Sequence, residues 1–402
     1  MISTQKYYKP DNSVEEFFTV SILLFVLFLP DIRLSSSFAA RPEDILILLS
    51  FIYLCYKRII FDTFFTRIII LMGIVMFASI GLNNRLMSLN SFEFYNKIIK
   101  GMVAYNICLL YMQDSDGYHK ASRILIVSIA ILAILNILQL VKIPGLTKVY
   151  GIYSNQIQID AFNKVASSSS IPRITGLIGN PNNNATFFLI ILGYVLDVFF
   201  LTRRKFYIIL IIACIIIIML TQSRTMFATT GGLFAIVLCL TGNIAIVLFA
   251  VIIYFIIQIL DIRYLALIFD SSKLSQTHSF TGRINEWEVL LKMIKLQPIL
   301  GYGGYKEYFY VTQTYPENEY ILGWFRYGAV YLCLYCYLFV HILFKGISRV
   351  LNKFSGGYFM LSTSLAMIVG SISNTPFNNP RLFVLFAFVN AFFESSRVHE
   401  EV

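Results

Sequence analysis

Charge is scarce in this chain: 13% of its 402 residues are Asp, Glu, Lys or Arg, against 57% that are hydrophobic. That ratio cannot cover a water-facing surface, so a soluble protein is excluded, and the apolar excess equally excludes intrinsic disorder. Histidine is rare, and His119, His278, His341 and His399 stand isolated. There is no His-Glu-x-x-His, no paired metal carboxylates and no Ser-His-Asp order, so the common hydrolase and metal signatures are missing. The cysteines (Cys55, Cys108, Cys214, Cys239, Cys333, Cys336) all fall inside apolar runs, where no loop needs stapling and no open metal shell exists. Cys333 and Cys336 form a C-x-x-C, but within Tyr331-Leu-Cys-Leu-Tyr-Cys-Tyr, without a second pair or a βαβ pattern, and read as packing. The formal charge is +10, yet Lys and Arg are scattered and form no stripe interleaved with aromatics, which argues against a nucleic-acid partner.

What is abundant is long apolar runs. A bilayer core of about 30 Å needs about 20 apolar residues in a helix, and helices or closed barrels alone satisfy the backbone there. Alternating barrel segments are not visible. About twelve spans are predicted, at 14–31, 38–56, 62–82, 95–113, 122–142, 184–202, 206–222, 225–241, 243–260, 318–344, 357–373 and 382–396. The fold class is therefore all-α, a polytopic integral membrane protein forming a single membrane domain over 1–402. The first run follows Glu15 and Glu16 and lies far from Lys6 and Lys9, so it reads as a retained helix despite the cleavage-like Ser37-Phe-Ala-Ala. Placing both termini in the cytoplasm puts fourteen Lys and Arg inside and seven in the short outer loops, in keeping with the positive-inside rule. The two long connections, 143–183 and 261–317, then lie outside, and loops of that length usually carry function. No internal repeat or inverted symmetry is evident, which disfavours the duplicated transporter folds.

Four outer clusters carry the polar chemistry. The first, Pro172-Arg-Ile-Thr-Gly-Leu-Ile-Gly-Asn-Pro-Asn-Asn-Asn184, reads as a loop ending in a helix cap, which explains Asn180 and Asn182 but not Arg173. The second, Thr221-Gln-Ser-Arg-Thr225, puts Arg224 at a membrane boundary, where a guanidinium either snorkels to lipid or serves a partner. The third predicts an amphipathic surface helix over about 282–296, with Ile284, Trp287, Leu291 and Ile294 at helical spacing and Arg283, Glu286, Lys292 and Lys295 on other faces. Trp287 there reads as a buttress, and the following Gly301-Tyr-Gly-Gly304 lacks the strand and helix that a phosphate-cradling loop requires. The fourth, Pro316-Glu-Asn-Glu-Tyr320, places Glu317 and Glu319 at the outer edge ahead of Trp324 and Arg326. A carboxylate at such a boundary suits proton acceptance, although acidic residues also simply stabilise a helix start. Arginine forks match phosphate oxygens, so Arg173, Arg224 and Arg283 on one side of the membrane suit a pyrophosphate leaving group.

Taken in order, Arg173-Ile-Thr-Gly with Asn180-Pro-Asn, Ser223-Arg224, Gly282-Arg283 with Trp287, Pro298-Ile-Leu-Gly-Tyr-Gly, and Asn318-Glu-Tyr-Ile-Leu with Gly328 resemble the O-antigen polymerase and O-antigen ligase superfamily of bacterial envelope glycan assembly. The resemblance implies a multi-helix glycosyltransferase of the inner membrane. It would act at the periplasmic face on undecaprenyl-diphosphate-linked oligosaccharide, donor and acceptor alike, with no metal, cofactor or nucleotide sugar. Membrane lipid, and a chain-length regulator as a candidate, complete its partners. Arg224 and Arg283 would bind the lipid diphosphate, with Arg173, Asn180, Asn182, Asn318, Tyr320 and Arg326 as substrate-binding candidates. Where many members, ligases above all, read His-Asn before Tyr-Leu, this chain reads Glu317-Asn318, so either Glu317 is the base or the base lies elsewhere. That departure and the total length favour a polymerase over a ligase. A lipid-linked oligosaccharide flippase would share the span count but is expected to carry its charge in a central cavity. A channel has only Asp197 and Arg326 to recommend it.

Overall fold

The computed structural model describes residues 12–30, 32–33, 39–85, 98–141, 146–153, 172–242, 278–312 and 315–400. Apart from a two-residue antiparallel pair, Ile32–Arg33 with Ala39–Ala40, the regular structure there is helical. In chain order the α-helices are α1 Asn12–Phe28, α2 Pro42–Lys57, α3 Phe64–Leu82, α4 Lys100–Met112, α5 Ser115–Leu138, α6 Leu146–Tyr153, α7 Pro181–Thr202, α8 Phe206–Leu220, α9 Arg224–Thr241, α10 His278–Leu296, α11 Lys306–Thr312, α12 Glu319–Leu351, α13 Gly357–Ser373 and α14 Pro380–Glu400. Eleven of the twelve predicted spans coincide with a helix; the twelfth, 243–260, lies outside the described residues, as do 154–171 and 261–277 of the two long loops. By length and composition five of the described helices, α3, α5, α7, α9 and α12, can cross a membrane, and α8 and α13 are shorter apolar helices.

These helices are apolar on both sides. Inward, Met72, Met76, Leu125, Ile129 and Leu132 are buried; outward, Ile45, Leu48 and Ile52 on α2, Ile74 and Phe77 on α3, and Val127, Ile131 and Ile134 on α5 are exposed at helical spacing. Water would not tolerate such stripes, and lipid does. The chain is a multi-pass membrane protein.

At the centre α13 packs between α7 and α12, α14 lies against α4, and α3 runs beside α12. Small residues allow the close approaches: a Cβ on Gly193 would meet Ser362 Oγ at 1.8 Å, and one on Gly346 would meet the Leu361 amide at 2.8 Å. Buried charge is paired. Lys100, fully enclosed at the start of α4, reaches Asp44 Oδ1 at 2.6 Å and Glu43 Oε1 at 3.2 Å at the start of α2. Asp197 near the end of α7 accepts the Tyr358 and Phe359 amides at 3.0 and 2.7 Å, capping α13. This work at a helix end accounts for the buried Asp197 without an ion pathway.

The predicted span 318–344 proves to be a broken helix. α12 runs for 33 residues, but Gly328 sits at φ 82° and ψ −178°, a conformation essentially reserved for glycine. The stretch after α10 closes over the break. Tyr302 N donates to Phe325 O at 2.9 Å, Gly303 N to Arg326 O at 2.8 Å, and Ala329 N donates back to Pro298 O at 2.8 Å. From α3, Ser79 Oγ donates to Arg326 O at 3.1 Å and to Leu300 O, and Asn83 Nδ2 to Gly301 O at 3.1 Å. Gly301-Tyr-Gly-Gly304 thus serves the backbone of a neighbouring helix, and the Phe325 and Arg326 carbonyls and the Ala329 amide find partners across the break, as a low-dielectric setting demands.

A helix, α10, occupies the stretch predicted to be amphipathic, and the face it buries differs from the one expected. Leu290 and Ile294 pack on Phe309, Leu322 and Phe325, while Leu291 faces outward with Val289 and Leu296. The inward seam runs through Leu290, Met293 and Ile294, at i, i+3 and i+4, and meets Phe309 of α11 as well as Leu322 and Phe325 of α12.

Candidate functional site

The α-helices α7, α9, α12 and α14 begin at one end of the bundle, tied together through the end of α13, and α2 and α4 begin there too, beside the first turn of α14. Asparagines build three of these starts. Asn180 Oδ1 accepts the amides of Asn182 and Asn183 at 2.9 and 3.2 Å, Asn318 Oδ1 accepts that of Ile321 at 3.0 Å, and Asn379 Oδ1 accepts those of Arg381 and Leu382 at 3.0 and 3.3 Å. Asn180 is therefore a cap, as its sequence setting allowed. Converging N-termini carry partial positive charge, and arginines add to it.

Arg173 is half-buried; its Nε donates to Thr221 O at 2.9 Å and a terminal nitrogen to Asn182 Oδ1 at 3.1 Å, which ties the first polar cluster to the second. Arg224 occupies the first position of α9, where a cation works against its own helix dipole, an arrangement that adds nothing to helix stability. Arg283 on α10 forms an ion pair with Glu317 just ahead of α12. Next to them the carboxyl of Glu286, one turn on from Arg283, is held above the ordinary glutamate range by burial first and then by the charge of Glu317, with Arg283 pulling the other way. Asn318 Nδ2 donates to Ile372 O at 3.1 Å, and buried Glu319 accepts the Asn378 amide at 3.1 Å.

The segment that unites these pieces, Ser373 to Arg381, was not among the residues singled out in the sequence. Ser373 Oγ donates to Thr225 Oγ1 at 2.7 Å, Asn374 Nδ2 to Asn183 Oδ1 at 2.7 Å, and Arg381 to Leu177 O at 2.6 Å. Its signal was present: Asn379-Pro380 repeats Asn180-Pro181, the same helix-opening device. A line of contacts consequently runs from Arg283 to Glu317, along the chain to Asn318, across to Ile372, along to Ser373, and across to Thr225 beside Arg224.

Two candidates point elsewhere. Tyr320 directs its hydroxyl to Ile368 O at 2.7 Å, into the packing of α12 on α13. Arg326, 2% exposed, lies 5.3 Å from the ring of Phe309 under the glycine loop, about two turns from Asn318. Among the described residues no three His, Cys, Asp or Glu side chains gather in a metal-ligand set.

Arg224, Arg283, Glu317, Asn318 and Gly328 fall within one stretch that compares with a known family. Residues 208–336 match the O-antigen ligase family. The match bears out the resemblance to the O-antigen polymerase and ligase superfamily and covers α8 to the middle of α12, whereas Arg173, Asn180 and Asn182 precede it. No curated protein matches the chain.

Proposed function

We propose that the protein is a polysaccharide polymerase of the bacterial inner membrane, a metal-independent glycosyltransferase that extends undecaprenyl-diphosphate-linked oligosaccharide at the periplasmic face, with both termini in the cytoplasm. The O-antigen ligase match supports a function of the ligase or polymerase type. The observation that carries the reading is the line of contacts joining Arg283 and Glu317 to the start of α9 at Arg224. In a single inverting displacement, a hydroxyl oxygen of the incoming repeat unit attacks the anomeric carbon of the growing chain. The bond from that carbon to the diphosphate oxygen breaks as the new glycosidic bond forms. Glu317 takes the hydroxyl proton, and Arg224, Arg283 and the helix N-termini offset the charge on the departing diphosphate. Since Arg283 already holds Glu317, a diphosphate arriving at Arg283 exchanges one anion for another and turns the carboxylate toward the acceptor.

Purified protein is expected to extend lipid-linked oligosaccharide in detergent, which a flippase cannot do. Arg224→Ala and Arg283→Ala should each slow extension on the order of 10²–10³-fold, the usual loss for one charge-stabilising donor. Unchanged surface polysaccharide length with both variants normally inserted refutes the assignment. The family's own description favours a second reading, an O-antigen ligase; against it stands Glu317 where ligases carry histidine. Gene deletion separates the two: single-repeat surface glycan marks a lost polymerase, and absent surface glycan a lost ligase.

A further inference from the structure

Of the asparagines at the start of α7, three are committed to the protein. Asn180 caps the helix, Asn182 holds Arg173, and Asn184 donates to Asn136 Oδ1 at 2.7 Å. Asn183 is different. Its side chain makes one bond, accepting from Asn374 Nδ2 at 2.7 Å, and among the described residues neither amide has another side-chain partner. Both are half-buried. A carboxamide has two N–H donors and two acceptor lone pairs. Among the described residues, both N–H groups of Asn183, one N–H of Asn374 and the Asn374 oxygen thus have no partner and are open to a ligand. The pair stands between the two arginine segments: Asn183 follows the residue that holds Arg173, and Asn374 follows Ser373, whose hydroxyl bonds Thr225 next to Arg224.

We infer that Asn183 and Asn374 form a sugar-reading subsite that hydrogen-bonds hydroxyls of the acceptor glycan beside the diphosphate site, an inference that rests on the polymerase reading above. A sugar hydroxyl donates and accepts at once; a carboxamide does the same, whereas a carboxylate only accepts and a guanidinium only donates. Arginine holds the anion, and the amide pair sorts the neutral ring next to it.

The geometry supplies a test that separates ligand reading from scaffolding. In Asn183→Asp a carboxylate oxygen still accepts from Asn374 Nδ2, so the bond within the protein persists while both outward N–H donors disappear. The acceptor KM should rise about tenfold, the loss expected when a hydrogen bond or two to the ligand are removed. Binding of a sugar-free isoprenoid diphosphate, measured in parallel by calorimetry in detergent, reports any effect of the added charge. The expected result is a loss for the glycan about tenfold larger than the loss for the sugar-free lipid, with the melting temperature unchanged. Equal losses for both probes, or a wild-type KM, overturn the subsite. If the wild-type protein extends glycan and only the variant result fails, the subsite alone falls; if the wild-type protein extends no glycan, the polymerase reading falls with it.

Discussion

Replacing Gly328 by alanine attacks the break in α12 at its narrowest point. A Cβ there would stand 1.9 Å from the Ile299 carbonyl oxygen and 2.6 Å from the Leu300 amide, both backbone atoms that cannot swing aside. Holding a non-glycine residue at this φ and ψ costs about 1–3 kcal/mol. Relief of the clash requires the stretch 298–301 to lift, which stretches the bonds from Ala329 N and Trp324 Nε1 to Pro298 O, 2.8 and 2.9 Å long. At about 1 kcal/mol for each of these, the total loss is about 3–5 kcal/mol. Gly232, on α9, is the internal control: an added Cβ meets nothing within 4 Å, so Gly232→Ala should stabilise by about 0.5–1 kcal/mol through helix propensity alone. Thermal unfolding of the purified proteins, followed by the fluorescence of Trp287 and Trp324, reads both. If Gly328→Ala melts together with the wild type, the break is not held as described here.

Two further substitutions test separate parts of the structure. Asp197→Ala removes both acceptors from the start of α13 and should cost about 1–2 kcal/mol in thermal stability, while glycan extension per folded molecule stays at the wild-type level; a drop in kcat without loss of stability would instead place Asp197 in the reaction. Glu286→Gln tests the sign of the local electrostatics. Because burial and Glu317 raise the folded-state value of Glu286, the folded chain keeps that proton to higher pH than the unfolded chain, and the stability gained this way is lost as pH rises through the folded value. The glutamine variant cannot ionise, so melting temperatures of the two proteins should coincide in acid and part toward neutral pH with the variant higher. A variant that melts lower at neutral pH contradicts the cause assigned to the shift.

Local pattern carried much of this architecture, since a run of twenty apolar residues has one spanning solution, and eleven predicted spans meet helices. Helix starts were off by a few residues where an asparagine cap, not hydropathy, fixes the first turn, as at Asn180 and Pro181. The break at Gly328 was illegible for a different reason: its partners Ser79, Pro298 and Gly303 are supplied from elsewhere in the chain, and no window of sequence contains them all. The same holds for the site. Arg283 and Glu317 stood out by type, and the structure pairs them; Tyr320 stood out equally and turns into helix packing. The Ser373–Arg381 turn shows its role only through contacts with residues 183, 225 and 319.

The clamp over α12 also bears on how the chain enters its membrane. Ser79 is synthesised more than two hundred residues before Leu300 and Arg326, the carbonyls that it serves. Until α3 and the glycine stretch arrive, the exposed carbonyls of Phe325 and Arg326 would face lipid at several kcal/mol each, so α12 cannot settle at full depth as an isolated segment. Its integration must wait for docking against an older part of the polypeptide. Insertion of α12 and completion of the tertiary fold are consequently one event, and a ribosome stalled before residue 300 should leave α3 seated with neither carbonyl that Ser79 serves yet made.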